Sequence, residues 1–76
     1  MPKLPVVTPK KLIRVLVRLG FFRYSKGRGS HIMMVHTDGR KIIVPMHSKD
    51  IPKGTLAGML KDIKISKDEL IELLRG

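Results

Sequence analysis

Three short β-prone runs follow one another near the middle of the chain, and the turn between the last two constrains the fold most. The runs cover residues 21–25, 31–37 and 41–44. Asp38-Gly39 separates the second run from the third, and this dipeptide predicts a type I′ turn because glycine accepts the positive φ that such a turn requires. The spacing therefore predicts a three-stranded antiparallel meander.

A helical pattern precedes these runs. Thr8 can act as the N-cap, and Pro9 suits the first helical position. Gly20 suits a left-handed C-terminal cap, so we predict a first helix over residues 9–19. Its predicted apolar stripe consists of four residues at helical spacing: Leu12, Ile13, Leu16 and Val17.

Two further helices are predicted after the strands. Pro45 takes the chain out of the sheet, and Thr55 is a candidate cap for a second helix. Four apolar residues of that helix follow helical spacing: Leu56, Met59, Leu60 and Ile63. Ser66 and Glu69 form a capping box that opens a last short helix. We therefore expect an α+β fold, a three-stranded antiparallel sheet packed against helices in the order α-β-β-β-α, with a short C-terminal helix.

The size and composition of the chain limit what it can be. Its 76 residues predict a single domain over residues 1–76. The absence of cysteine excludes disulfides, thiolate zinc sites, iron–sulfur clusters and a cysteine nucleophile. No apolar run approaches the roughly 18 residues that a membrane helix needs, and residues 1–7 contain no signal-peptide apolar region. We therefore expect a soluble, cytoplasmic protein that does not bind membranes.

Positive charge dominates the sequence and is concentrated in its first half. Sixteen Lys and Arg residues stand against six Asp and Glu residues, for a net charge of +10. All eight cations of residues 1–37 precede Asp38, the first acidic residue. Three of them recur every four residues along one face of the predicted first helix: Lys10, Arg14 and Arg18. This separation predicts an anionic partner and favours nucleic acid over a membrane surface or a feature that serves solubility alone.

Several kinds of catalytic site do not fit the sequence. A two-metal nuclease needs clustered carboxylates, yet only Asp38 and Asp50 lie outside the C-terminal region. The segment Gly27-Arg28-Gly29-Ser30 lacks the Gly-Lys-Thr/Ser ending of a phosphate loop and favours a hairpin loop. The spacing of the three histidines matches no zinc pattern: His31, His36 and His47. We expect neither a bound metal nor a cofactor.

His31 is the candidate catalytic residue. It follows small residues at the start of a predicted strand, beside Lys26 and Arg28, where a phosphate could approach it. If the partner is RNA, a neutral imidazole can take the proton of a 2′-hydroxyl, and the freed oxygen then attacks its own phosphate without a metal. The donor of a proton to the leaving 5′-oxygen stays open between His31, His47, a lysine and water. A lone histidine is otherwise most often a structural hydrogen-bonding group.

Four short motifs occur in order along the chain: Gly29-Ser30-His31, Asp38-Gly39-Arg40, Val44-Pro45-Met46-His47 and Gly54-Thr55-Leu56. Together they resemble the HicA toxin family of mRNA interferases, and the resemblance extends over nearly the whole chain. It implies a fold like the double-stranded RNA-binding domain, ribonuclease activity on mRNA as the toxin of a type II toxin–antitoxin system, and inhibition by a HicB-type antitoxin. One departure is Lys64, where small residues, often glycine, are usual.

The resemblance places the family's catalytic histidine on His31, and its Pro-x-His motif on Pro45 and His47, where we expect His47 to support loop order. A metal-independent endoribonuclease is therefore predicted. Eight residues are predicted to contact RNA because they are cationic or small and lie on the first helix or in the loop before His31: Lys10, Lys11, Arg14, Arg18, Lys26, Arg28, Gly29 and Ser30.

The alternative is a non-catalytic module that binds double-stranded RNA, since the same order of elements reads A-form shape through backbone contacts. His31 discriminates between the two, because a pure binder needs cations there rather than an imidazole. A stacking platform for single strands is not predicted. The three aromatic residues lie near one strand and are expected partly in the core: Phe21, Phe22 and Tyr24.

Overall fold

The computed structural model describes residues 3–24, 31–46 and 49–75, and its elements follow the order α-β-β-β-α-α. Their bounds are α1 Pro9–Arg18, β1 Phe22–Arg23, β2 His31–Val35, β3 Lys41–Pro45, α2 Lys53–Asp62 and α3 Lys67–Arg75. The three strands form one antiparallel sheet in the order β1-β2-β3. The predicted α+β architecture, with its short C-terminal helix, is confirmed.

Strand register places the ends of β2 and β3 together. His31 lies opposite Pro45 at one end of the pair, and Val35 lies opposite Lys41 at the other. On the far side of β2, β1 pairs in antiparallel register and places Phe22 opposite Val35. His31 and Pro45, both members of the sequence motifs, therefore meet across two neighbouring strands.

The first strand is shorter than predicted because Phe21 belongs to the end of α1. The Phe21 amide donates to the Leu16 carbonyl at 2.9 Å, and the Gly20 amide donates to the Val17 carbonyl at 3.0 Å. These two bonds form a Schellman motif, in which the residue after the helix cap is left-handed. Gly20 adopts that conformation, with φ of 100°, and so ends the helix as predicted. Phe21 is then directed into the core.

Helix α1 begins where its sequence predicts. The Thr8 hydroxyl accepts a hydrogen bond from the Lys11 amide at 3.2 Å, and Pro9 is the first helical residue. The predicted apolar stripe is wrong at Val17, which is 57% exposed, and Val15 is buried in its place. Buried residues of α1 recur at intervals of three and four, which puts them on one side of the helix: Pro9, Leu12, Val15 and Leu16.

The β2–β3 hairpin forms as predicted, but its turn does not have type I′ geometry. That type needs positive φ at both central residues. Here Gly39 has φ of 98°, whereas Asp38 does not have positive φ. The His36 amide donates to the Arg40 carbonyl at 2.8 Å, which closes a loop of three residues, 37–39. A left-handed glycine at the last position is typical of the three-residue hairpin loop with a bulge.

Helix α2 begins two residues before the predicted cap. Pro52 occupies the N-cap position, and its carbonyl accepts the Leu56 amide at 2.8 Å. Thr55 is the third helical residue and makes no cap bond, so the prediction of a Thr55 cap is wrong. Proline can take this position because its φ is already fixed near the value that the chain needs there.

The connection from α2 to α3 is a second Schellman motif. The Ile65 amide donates to the Leu60 carbonyl at 3.1 Å, and Lys64 is left-handed with φ of 59°. A left-handed residue at this position favours glycine, so Lys64 adopts a conformation that its side chain disfavours. The predicted capping box of α3 is confirmed, since the backbone amides and side chains of Ser66 and Glu69 bond reciprocally at 3.0 and 3.1 Å.

The core lies between one face of the sheet and the helices. Buried apolar side chains come from every helix and from the two longer strands, and the largest include Leu12, Leu16, Met34, Val44, Leu56, Ile63 and Leu70. Helix α1 contacts both α3 and β3. Among the residues that the structure describes, no polar or charged side chain is buried. This core covers one face of the sheet, and in the described ranges no helix lies on the other face, which we call the uncovered face.

Candidate functional site

His31 lies on the uncovered face of the sheet. Ile32 packs against the core and Met34 is buried within it, so the even-numbered residues of β2 face the helices. Successive residues of a strand point to opposite faces, which places His31, Met33 and Val35 on the other side. His31 is exposed. The sequence left open which face of this strand is buried, and the structure places His31 where a large substrate can reach it.

His36, the next histidine along the chain, makes structural contacts within the fold. Its Nδ1 atom accepts the Asp38 amide at 3.1 Å, and its Nε2 atom lies 3.1 Å from the Leu19 carbonyl. Since Nδ1 accepts, Nε2 carries the proton and donates to the carbonyl of Leu19, the C-cap residue of α1. The ring also meets Phe21 edge to face at 5.1 Å. His36 therefore holds the end of α1 against the β2–β3 turn.

Arg40 connects the same turn to α2. Its Nε atom donates to the Asp38 carboxylate at 2.7 Å, and its Nη1 atom donates to the Ile63 carbonyl at 2.6 Å. The guanidinium also lies 5.2 Å from the centre of the Phe21 ring. The backbone hydrogen bond from Arg40, followed by its side-chain bond and charge, lowers the pKa of Asp38 below its ordinary value. Arg40 stabilises the negative end of α2, so this motif residue has a structural role that sequence reasoning missed.

The four predicted cations of α1 are all exposed, but the structure divides them between two surfaces. Lys10 borders a hollow of about 270 Å³ at the start of the helix, together with Lys49. Met46, which follows the partner of His31 in the sheet, also lines this hollow. Lys10 and Lys49 therefore lie toward the end of the sheet at which β2 begins.

The other three cations of α1 face α3. A groove of about 360 Å³ between the two helices is lined by Val6, Lys11, Arg14, Val15, Arg18, Leu73, Leu74 and Arg75. Arg18 crosses it and donates through Nη1 to the Leu73 carbonyl at 3.4 Å. Arg75 joins this basic surface although it is distant in sequence, and no local pattern could have identified it. In the sequence, Arg75 is distinguished only as the last positively charged residue, and this position does not indicate a contact with α1.

The remaining predicted site residues lie outside the described part of the chain. These are Lys26, Arg28, Gly29, Ser30 and His47. Their roles beside His31 stay predictions. Within residues 3–24, 31–46 and 49–75, no group of three His, Asp or Glu side chains is placed to hold a metal ion. No helix of these ranges is both long and apolar enough to cross a membrane.

A comparison with protein-family models identifies the chain. The model described as "HicA toxin of bacterial toxin-antitoxin" matches residues 9–65, which is 57 of the 76 residues. The chain belongs to the HicA toxin family. HicA proteins are toxins of toxin–antitoxin pairs and are generally ribonucleases. The match runs from the first residue of α1 to the residue before the α3 capping box, so α3 lies beyond it. A comparison with curated proteins gives no match.

Proposed function

We propose that this HicA family member is a metal-independent endoribonuclease that cuts mRNA, with His31 as its general acid–base. The observation that carries the proposal is the placement of His31, which is exposed at the start of β2 on the face of the sheet opposite the core. A catalytic base has to reach the proton that it abstracts, and His31 meets that requirement.

The chemistry needs few groups because the substrate supplies the nucleophile. The neutral imidazole of His31 takes the proton from a ribose 2′-hydroxyl, and the 2′-oxygen forms a bond to the adjacent phosphorus. The bond from phosphorus to the 5′-oxygen breaks, and that oxygen takes a proton from His31, His47, a lysine or water as it leaves. The products are a 2′,3′-cyclic phosphate and a 5′-hydroxyl. Nearby cations stabilise the charge that builds on the phosphoryl oxygens.

Exposed cations supply the contacts to the RNA backbone. We assign this role to Lys10, Lys11, Arg14 and Arg18 of α1, with Lys26, Arg28, Gly29 and Ser30 from the segment before His31, and we assign loop support to His47. The support is the net charge of +10 and the exposure of all four α1 side chains. Phosphate contacts position a nucleic acid but carry no sequence information.

The partner that would restrain this activity is a HicB-type antitoxin with an acidic surface. A protein of this charge in the cytoplasm would meet RNA continuously, so its ribonuclease activity has to be inhibited when it is not required. Opposite charge speeds the association of two proteins, and the same contacts would exclude RNA from the basic surface. We propose that the antitoxin covers the edge at residues 29–31 and part of α1.

A non-catalytic RNA-binding module is the second candidate, favoured by the confirmed order of elements and the exposed α1 cations. Incubation of the purified protein with RNA in EDTA separates the two. We expect cleavage to persist in the chelator and to stop when the nucleotide before the cut is 2′-deoxy, with cyclic phosphate ends in the mass spectrum. Intact RNA would favour the binding module, and 5′-phosphate ends would show attack by water instead.

A further inference from the structure

The prediction that the aromatic residues lie partly in the core is confirmed for Phe21 and wrong for Phe22 and Tyr24, which are exposed on the uncovered face of the sheet. Tyr24 is 68% exposed and Phe22 is 49% exposed, whereas Phe21 is 2% exposed. The difference follows from the Schellman motif at the end of α1, which directs Phe21 inward and leaves Phe22 and Tyr24 at alternate positions on the opposite side. An exposed apolar face that carries two aromatic rings is typical of an interaction surface.

Strand pairing brings these rings into one array with His31. The Tyr24 amide donates to the Met33 carbonyl at 3.0 Å, so Tyr24 extends β1 by one residue and lies opposite Met33. Met33 is paired on its other side with Ile43, which is 53% exposed. These three residues form a row across the sheet, and His31 lies in the next row, two residues along β2. Rows at that spacing are about 7 Å apart, so Tyr24 and His31 are diagonal neighbours.

We infer that this face is a base-stacking platform for single-stranded RNA, in which Tyr24 and Phe22 hold bases beside the nucleotide that His31 acts upon. The inference rests on the proposed ribonuclease function and adds to it that the RNA substrate is single-stranded where it is cut. Small RNA-binding domains stack unpaired bases on aromatic residues of a sheet face, and every base has a π-face that such a ring accepts. Bases inside a duplex are already stacked on their neighbours and cannot lie on Tyr24. The strand must therefore be unpaired where it is cut.

Charge favours RNA over a protein as the occupant of this face. Lys41 lies on it opposite Val35, and the chain as a whole carries +10. Two carboxylates of the described ranges, Asp38 and Asp62, share an ion pair or a hollow with a cation. Arg40 binds Asp38 at 2.7 Å, and Lys41 lines the same hollow of about 420 Å³ as Asp62. Apolar rings with a cationic border match a polymer of aromatic bases and phosphates.

The chain offers a direct probe, because Tyr24 is its only tyrosine and it has no tryptophan. We would titrate the full chain with a short RNA carrying 2′-O-methyl groups, which cannot be cut by the proposed chemistry. We expect the single strand to quench the Tyr24 fluorescence, and the duplex of the same sequence to leave it unchanged. Quenching of equal size by both forms would overturn the platform.

Variants of Tyr24 separate ring stacking from apolar contact. With the same RNA carrying a fluorescent label, we expect Tyr24→Leu to weaken binding about 5- to 150-fold, the range for loss of one stacked base. Tyr24→Phe keeps the ring and should retain most of the affinity. The control is Val17→Ala, an exposed apolar residue of α1 that should bind like the unmodified chain. Circular dichroism would show that each variant is folded.

Cleavage of unmodified RNA by the same variants distinguishes failure of the platform from failure of the proposed function. Slower cleavage by Tyr24→Leu than by Tyr24→Phe supports the platform. Normal binding and cleavage by Tyr24→Leu would overturn it and leave the ribonuclease proposal standing. If Tyr24→Leu loses only its antitoxin complex, the face is a protein interface and the platform is wrong. If the unmodified chain neither binds nor cuts RNA, both proposals are wrong.

Discussion

Lys64 and Gly20 occupy equivalent positions at the ends of two helices, yet their residue types differ. Each follows a helix cap, and each is left-handed, with φ of 59° for Lys64 and 100° for Gly20. A residue with a Cβ atom is disfavoured in this conformation by roughly 1–2 kcal/mol. Gly20 is required for a second reason, since a Cβ atom there would lie 2.9 Å from Nε2 of His36. Position 64 therefore carries conformational strain that the first helix avoids.

Relief of that strain should stabilise the protein. We expect Lys64→Gly to raise the free energy of unfolding by about 1 kcal/mol, which corresponds to a rise in Tm of about 4–8 °C for a domain of this size. Lys61→Gly is the matched control, because it removes the same charge from a right-handed position in the last turn of α2 and should lower Tm. Thermal unfolding by circular dichroism measures both. A lower Tm for Lys64→Gly would contradict this explanation of the α2–α3 connection.

At the scale of elements, the β2–β3 turn joins two helix ends. His36 donates to the carbonyl of Leu19, the C-cap residue of α1, and Arg40 donates to the carbonyl of Ile63, the C-cap residue of α2. The ring of Phe21 contacts both side chains. This cluster positions the hairpin, and with it β2 and His31, relative to the helices. His36 thus affects the candidate site only by positioning strand β2, which carries His31.

Removal of His36 should therefore reduce stability rather than chemistry. His36→Ala leaves the Leu19 carbonyl and the Asp38 amide without their partners, and we expect a loss of about 1–3 kcal/mol in the free energy of unfolding. Thr37→Ala, in the same turn, should change it by less than about 0.5 kcal/mol. Urea denaturation compares the two. Equal stabilities would show that the cluster does not hold the turn.

Local patterns in the sequence were sufficient to predict the elements, but not the contacts between them. Thr8, Gly20 and the Ser66–Glu69 box act within a few residues, and each ends or begins a helix as its type predicts. The turn type was missed because a glycine after Asp38 fits both a two-residue type I′ turn and the last position of a three-residue loop. Arg75 and the exposed Tyr24 were missed because their surroundings depend on packing and register, which no single segment encodes.

At the scale of the whole molecule, the positive charge is distributed around the fold rather than confined to one helix. Lys11, Arg14, Arg18 and Arg75 line the groove between α1 and α3, whereas Lys10 and Lys49 border the hollow near the end of β3. His31 lies on the sheet face. An RNA strand bound at His31 can therefore contact cations on more than one surface of the protein. The affinity for RNA should then depend strongly on the salt concentration.

Charge reversal on α1 tests this distribution. We expect Arg14→Glu to weaken RNA binding and to slow association with an acidic antitoxin, with both effects shrinking as salt is raised. Lys67→Glu changes the net charge equally but lies at the start of α3, outside the groove, and should have a smaller effect. Fluorescence anisotropy at several salt concentrations measures the binding. Equal losses in the two variants would show that net charge alone matters.

The most direct test of the central claim is the cleavage rate of His31→Ala on RNA, measured beside the unmodified chain in EDTA. His31 is exposed at the start of a strand, so its truncation should leave the circular dichroism spectrum and Tm nearly unchanged. General acid–base catalysis contributes about 10²- to 10⁴-fold, and we expect the rate to fall by that factor while RNA binding is largely retained. Cleavage at the unmodified rate by a folded His31→Ala protein would contradict the assignment of His31 as the catalytic residue.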